Sequence, residues 1–299
     1  MTPSTEQSAS RPRVARWRRS LLPLVVLLGA VLLGGCTAPT FGAFRGATTQ
    51  GRDTFKLWVG MFIAGLVVAA IVYGLIFWAT FAYRRRGEGI PRQFHANIPL
   101  EILYTAIPVV IVAGIFYFTV LTENNVDAVS PHPSEIVHVL AYRWGWQFTY
   151  ADGAGRSQGV LIRTSSAPSL LPKSDTSPEY PQLVLPKGET VRIVLNSADV
   201  VHGFYVRQFL FSRYAQPGVT NVFDITPTET GLFNGQCTQY CGLYHSEMLF
   251  SVRVVSPAAF EAWLSHEQAS QATSAAGAIQ TAASTTGRAE PAASEGGYA

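Results

Sequence analysis

Residues 237–248 read Cys237-Thr238-Gln239-Tyr240-Cys241-Gly242-Leu243-Tyr244-His245-Ser246-Glu247-Met248, a C-x3-C-x3-H-x2-M spacing. Two thiols, an imidazole and a thioether stand in one short run. The chain of 299 residues has only three Cys and three Met, and it spends two of the former and one of the latter here. Soft sulfur ligands together with imidazole select copper over hard cations. A disulfide between Cys237 and Cys241, favoured outside a bacterial cytoplasm, leaves His245 and Met248 unexplained. Zinc takes Cys and His but has no use for a thioether. A mononuclear blue-copper site takes one Cys, two His and a weak axial Met, one Cys fewer than stand here. Copper ranks first, a disulfide second and zinc third.

A second imidazole must come from elsewhere in the chain. His202 closes Leu195-Asn196-Ser197-Ala198-Asp199-Val200-Val201-His202, after the strand-like run Val191 to Leu195. In a cupredoxin-like sandwich one His comes from an early strand and the remaining ligands from a late loop, which suits this placement. His95, His132, His138 and His266 read as surface or structural residues.

Around this run the chain has short β segments bounded by Pro, Gly, Asp and Ser: Ile136–Leu140, Gln147–Tyr150, Gln182–Leu185, Thr190–Leu195, Val219–Ile225 and Phe250–Val255. They predict an all-β Greek-key sandwich of cupredoxin type. Residues 151–181, rich in Ser, Pro and Gly, read as a surface insertion. Pro257 to His266 reads as a short helix, and 267–299 as a disordered tail.

Charged residues make up 14% of the chain, against ~25% in soluble domains, and the deficit lies toward the N-terminus. Leu57 to Tyr83 carries no charge, and Ile98 to Leu121 carries only Glu101. Each is long enough for a ~30 Å hydrocarbon layer. Arg84, Arg85, Arg86 and Arg92 between them mark the cytoplasmic side. The fold class is therefore a membrane α hairpin of two transmembrane helices (54–122) followed by the β domain (123–266). Glu101 lies in the first turn of its helix, where an acid suits the helix dipole; an acid at membrane depth is also a functional candidate. The net charge of +3 and the lack of a basic stripe argue against nucleic acid.

Residues 1–35 read as an export signal: five Arg between Arg11 and Arg19, the apolar run Leu21–Leu33, then Leu33-Gly34-Gly35-Cys36, a lipobox whose Cys36 would carry lipid. Residues 36–53 form a linker.

The two spans, Tyr142-Arg143-Trp144-Gly145-Trp146-Gln147-Phe148, Ser197-Ala198-Asp199-Val200-Val201-His202 and the 237–248 run, in this order, resemble subunit II of the haem-copper cytochrome c oxidases, actinobacterial type, over roughly Thr54 to His266. The resemblance implies a binuclear copper A centre bridged by Cys237 and Cys241. His202 and Met248 would complete one copper, and His245 and the Gln239 carbonyl the other. It implies Trp144 as the point where electrons arrive from a c-type cytochrome, with Trp146 packed inside, and Glu101 as the entrance of a proton path. Partners would be oxidase subunits I and III, membrane lipid and a c-type cytochrome. Few acids surround Trp144 (Asp152 and Asp199 remain), which suits a membrane-bound donor in a supercomplex. Gln239 departs from the family's usual Glu. Its amide is a weaker magnesium ligand than a carboxylate, which puts the magnesium site at the subunit I interface in doubt and leaves the copper site intact.

Three other readings compete. A copper-free quinol oxidase subunit has no need of Cys237, Cys241, His202 and Met248. A copper-delivery lipoprotein would want exposed, exchangeable ligands. Nitrous-oxide reductase needs a propeller domain for which the chain has no room.

Overall fold

A computed structural model describes residues 40–85, 87, 89, 95–163 and 180–286. The expected export signal, Cys36, Arg86, Arg92, residues 164–179 of the expected insertion and residues 287–299 lie outside the described residues.

Two long helices come first, α1 (Thr49–Ala82) and α2 (Ile98–Val126). Between Leu57 and Ala82 and between Ile102 and Leu121 they are apolar on every side, and their large side chains there (Phe81 and Val110, for example) stand exposed. At 1.5 Å per residue the 34-residue α1 is about 50 Å long. It is therefore longer than a ~30 Å hydrocarbon layer is thick, and its first turns carry Arg52, Asp53 and Lys56. Those turns start eight residues ahead of Leu57, where the uncharged stretch begins. Tertiary contacts hold them. Thr48 caps α1 by accepting from the Gly51 N–H at 2.9 Å. The Ala47 N–H donates to Gln208 O at 2.8 Å, Thr49 N–H to Thr226 O at 3.0 Å, and Thr228 N–H to Ala47 O at 2.8 Å. A Cβ on Gly51 would meet the Phe209 carbonyl at 2.3 Å, so only glycine allows this approach. α2 begins at Asn97, whose side chain accepts from the Leu100 N–H, with Pro in the first turn.

The β domain is a two-sheet sandwich of ten strands among the described residues. One sheet has the order β3-β2-β1-β5-β8, with β1 (Glu135–Tyr142), β2 (Gly145–Asp152), β3 (Ser157–Arg163), β5 (Val191–Ser197) and β8 (Asn221–Ile225). The other runs β4-β10-β9-β6-β7, with β4 (Gln182–Pro186), β6 (His202–Val206), β7 (Phe211–Ala215), β9 (Gly231–Cys237) and β10 (Leu249–Val255). Alternating side chains turn inward, as a half-buried strand requires. Val137, Val139 and Ala141 of β1 face Phe204, Phe223 and Phe250 in a core centred on the fully buried Trp146 and Phe148. Trp146 meets Phe204 edge-on at 5.8 Å and tilts against Phe250 at 5.1 Å.

Several expectations change. The expected insertion contains β3, paired with β2 from Gln147↔Arg163 to Ala151↔Ser157. β6, β7 and β9 were not read from sequence, because each is short or interrupted by glycine. The helix expected at Pro257–His266 is α3 and continues to Thr286, into the segment expected to be disordered. The Ala residues of its continuation favour helix. The Gln271 amide also clamps the backbone of Leu161 on edge strand β3, accepting from its N–H at 3.0 Å and donating to its carbonyl at 3.2 Å.

The exit from α2 is tied to the sandwich. Asp224, 1% exposed, pairs with Arg192 at 2.9 Å and accepts from the Ser130 N–H at 2.5 Å. Arg192 also donates to the Ser130 carbonyl. Asp127, capping α2, pairs with Arg213.

Candidate metal centre

β9 delivers Cys237 at its C-terminal end, and the loop to β10 carries Cys241, His245 and Met248. The loop is held at both ends. The Cys237 N–H donates to Met248 O at 3.0 Å, and the His245 N–H donates to Gly242 O at 3.1 Å. Gly242 has φ +115°, a backbone conformation glycine supplies without strain. A Cβ there would also press on the Trp144 ring at 3.2 Å.

His202 begins β6, across the sandwich from the Val191–Leu195 run it follows in sequence. The sequence places it at the end of that strand; instead residues 198–201 cross to the opposite sheet, where β6 pairs with β9 and brings Phe204 opposite Cys237. This register sets His202 beside the loop.

The side chains converge. Cys237 Sγ and Cys241 Sγ lie 3.9 Å apart, both free, far beyond the ~2.05 Å of a disulfide. His202 Nδ1 is 3.9 Å from Cys237 Sγ, and His245 Nδ1 is 3.5 Å from Cys241 Sγ. Met248 Sδ is 3.8 Å from Cys241 Sγ, and the Gln239 carbonyl 3.2 Å from Cys237 Sγ. His202, Cys237, Cys241 and Met248 are all buried. The ligand atoms of His202, Cys237 and Cys241 lie within 4.8 Å of one another. Soft sulfur and imidazole donors aimed into one largely buried pocket fit copper.

Electrostatics favours a cation here. Burial, and then the charge of the neighbouring Cys237 sulfur, push the Cys241 thiol up to about 12. Two thiolates side by side therefore need a bound cation to ionise together. Burial would lower the His202 pKa, but the Cys237 sulfur and the Asp199 carboxylate outweigh it and raise it.

Asp199 was not read from sequence as a partner of His202. Its Oδ1 accepts from His202 Nε2 at 2.9 Å, which fixes the tautomer and aims Nδ1 at the sulfurs. Burial would raise the Asp199 pKa; the bonds from His202 and from the Arg143 and Val200 N–H groups hold it below the ordinary carboxylate range. The three-residue spacing Asp199–His202 is the signal that could have suggested the pair.

Trp144 lies half-buried in the turn between β1 and β2, packed edge-on against Tyr244 at 5.0 Å. Trp146 is fully buried and donates to Met248 O at 3.4 Å. Glu101 is remote, at the end of α2 away from the sandwich, where it accepts from the Asn97 N–H at 3.1 Å. His95, His132, His138 and His266 are exposed and stand apart from the cluster.

Residues 136–255 match the sequence model of the cytochrome c oxidase subunit II periplasmic domain, and residues 44–120 that of its transmembrane domain. The chain belongs to the cytochrome c oxidase subunit II family. A probable cytochrome c oxidase subunit 2 of Streptomyces coelicolor is 34% identical over 87% of this chain and 90% of its own. Cytochrome c oxidase subunit 2 of Mycobacterium tuberculosis is 35% identical over 81% of this chain and 80% of its own. Among solved structures, the periplasmic domain of subunit II of cytochrome oxidase from Bradyrhizobium japonicum is 25% identical, covers 48% of this chain and 99% of its own, and has a TM-score of 0.40. As a subunit II, the chain is a membrane protein with an extracytoplasmic β domain, and its His202, Cys237 and Cys241 cluster is a metal-site candidate that suits copper.

Proposed function

We propose that this chain is the electron-accepting subunit of a proton-pumping terminal oxidase. It takes electrons from a c-type cytochrome at a binuclear copper A centre and hands them to haem in subunit I, where oxygen becomes water. The observation that carries this reading is the convergence of two unlinked thiols, two imidazoles, one thioether and one backbone carbonyl on a single buried pocket.

Cys237 and Cys241 would bridge the metals. His202 and Met248 would complete one, and His245 with the Gln239 carbonyl the other. When bound, a copper pair there would supply a one-electron carrier. The protein supplies the rest. Asp199 keeps Nδ1 of His202 turned inward, and the Phe204–Phe250 core behind the site excludes water. The Trp144 indole, donating to Cys241 O at 3.2 Å, gives the surface a bonded contact to the loop.

The remaining roles belong to the same proposal. Residues 1–35 are an export signal and Cys36 carries lipid, ahead of the segment that enters α1 at Thr49. The hairpin of α1 and α2, Thr49 to Val126, lies in the bacterial cell membrane, and the β domain with α3 is the copper domain on its outer face. Glu101, at the cytoplasmic end of α2, stands at the entrance of a proton path. Subunits I and III are the membrane partners, and the donor is a membrane-bound c-type cytochrome in a supercomplex. Gln239, with an amide where a carboxylate would serve better, weakens magnesium binding at the subunit I interface.

The test is metal analysis with EPR on the purified oxidase. Two coppers for this chain and a delocalised mixed-valence signal are expected. A single copper, or zinc, defeats the reading.

A further inference from the structure

Arg143 precedes Trp144 in the β1–β2 turn, and its side chain is half exposed. Its backbone N–H donates to Asp199 Oδ2 at 2.7 Å, and its guanidinium Nε approaches the same oxygen at 3.3 Å. The other oxygen, Oδ1, accepts from His202 Nε2 at 2.9 Å and from the Val200 N–H at 2.6 Å. His202 is fully buried and reaches Cys237 Sγ through its second ring nitrogen. An unbroken line of contacts thus joins a surface guanidinium to the sulfur cluster through one carboxylate and one imidazole.

Asp199 does not need the Arg143 side chain to stay in place. Two backbone N–H groups, those of Arg143 and Val200, already fix both of its oxygens. What the guanidinium adds is positive charge on the oxygen that does not face His202. A carboxylate that accepts from a metal-bound imidazole raises the basicity of that ligand. A carboxylate shared with a cation does so less.

We infer that Arg143 acts through Asp199 as a positioning residue for the redox balance of the metal centre, drawing the carboxylate's charge away from His202 and so keeping the centre easier to reduce. The direct field of the guanidinium works in the same direction, because a nearby positive charge disfavours the oxidised, more positive state. One consequence concerns the surface: Asp199 is engaged internally, so a donor approaching Trp144 meets a guanidinium beside the indole and no free acid at that position.

This inference rests on the copper reading above and deepens it. The test is an EPR-monitored redox titration of the purified oxidase containing the full chain. Arg143→Gln should lower the midpoint potential while copper content and the mixed-valence signal persist. Arg143→Lys, which restores the charge, should return the midpoint toward that of the wild type. Asp199→Asn should raise it, and in that background Arg143→Gln should shift it much less, because the two residues act in series. A copper-loaded Arg143→Gln oxidase with an unmoved midpoint overturns the inference alone. So does a full-sized Arg143→Gln shift in the Asp199→Asn background, which would mean that the guanidinium bypasses Asp199. A wild-type oxidase with no copper in this chain defeats the functional reading and this one with it.

Discussion

The indole Nε1 of Trp144 donates to the backbone carbonyl of Cys241 at 3.2 Å, so a ring at the rim of the site is one hydrogen bond from the chain of a sulfur-bearing residue. The Tyr244 ring and the bare Cα of Gly242 hold the indole in that position. The arrangement gives the turn between β1 and β2 a direct connection to the loop between β9 and β10.

Replacing Trp144 by Phe keeps a ring but removes that bond. Donor oxidation in stopped-flow should slow by about tenfold, equivalent to ~1.4 kcal/mol of barrier, with copper content unchanged. An unaltered rate would remove Trp144 from the electron route.

Met248 is buried, and its carbonyl accepts from the Cys237 N–H and from Trp146 Nε1. Met248→Leu conserves volume and leaves both bonds in place, so the stability cost should stay below ~1.5 kcal/mol. The EPR signal and midpoint potential should change while copper remains bound. Complete loss of copper in metal analysis would show that the thioether is a principal ligand and not a weak one.

Glu135 faces inward from β1 and is 7% exposed. Burial first, then the charge of Glu261, raise its pKa from 4.5 to about 7, against a hydrogen bond from Gln158 that lowers it. Between those two pH values the folded chain holds more protons than the unfolded one, so stability falls as pH rises. The penalty is absent below about 4.5 and complete above about 7. Glu135→Gln should flatten the dependence and stabilise the purified protein at pH 8 by on the order of 2 kcal/mol. Thermal melts across pH 5 to 8 measure it; equal slopes for variant and wild type would refute the assignment.

Asp224 joins Arg192 to the segment leaving α2. Asp224→Ala leaves a largely buried guanidinium uncompensated and frees the Ser130 N–H, which should cost about 3–5 kcal/mol. A drop in melting temperature with an unchanged EPR signal in the surviving folded fraction is expected, because this pair lies outside the sulfur cluster. A melting temperature within error of the wild type would show that the α2 exit is held by other contacts.

The features carried by local composition were legible in the sequence. Charge-free stretches of membrane length identify helices because lipid leaves the backbone no other way to satisfy its hydrogen bonds. Cys237, Cys241, His245 and Met248 announce a soft-metal pocket because all four types stand within one loop. β3, β6, β7 and β9 escaped notice because short strands with Gly, Ser and Arg carry a weak period-two signal and are stabilised by their neighbours in the sheet. The length of α3 escaped because its Ala-rich end has helix propensity without an apolar stripe.

The sequence by itself determined the chemistry: which donor atoms are present, and which segments lie in lipid, since both follow from residue type over a few consecutive positions. Only the tertiary structure decided the geometry. It paired β6 with β9 in one sheet so that His202 stands beside Cys237, gave it Asp199 and Arg143 behind, and seated the outer turn of α1 on the Phe209 carbonyl. Such contacts depend on strand register and on close packing between distant parts of the chain, and no local window of residues encodes either.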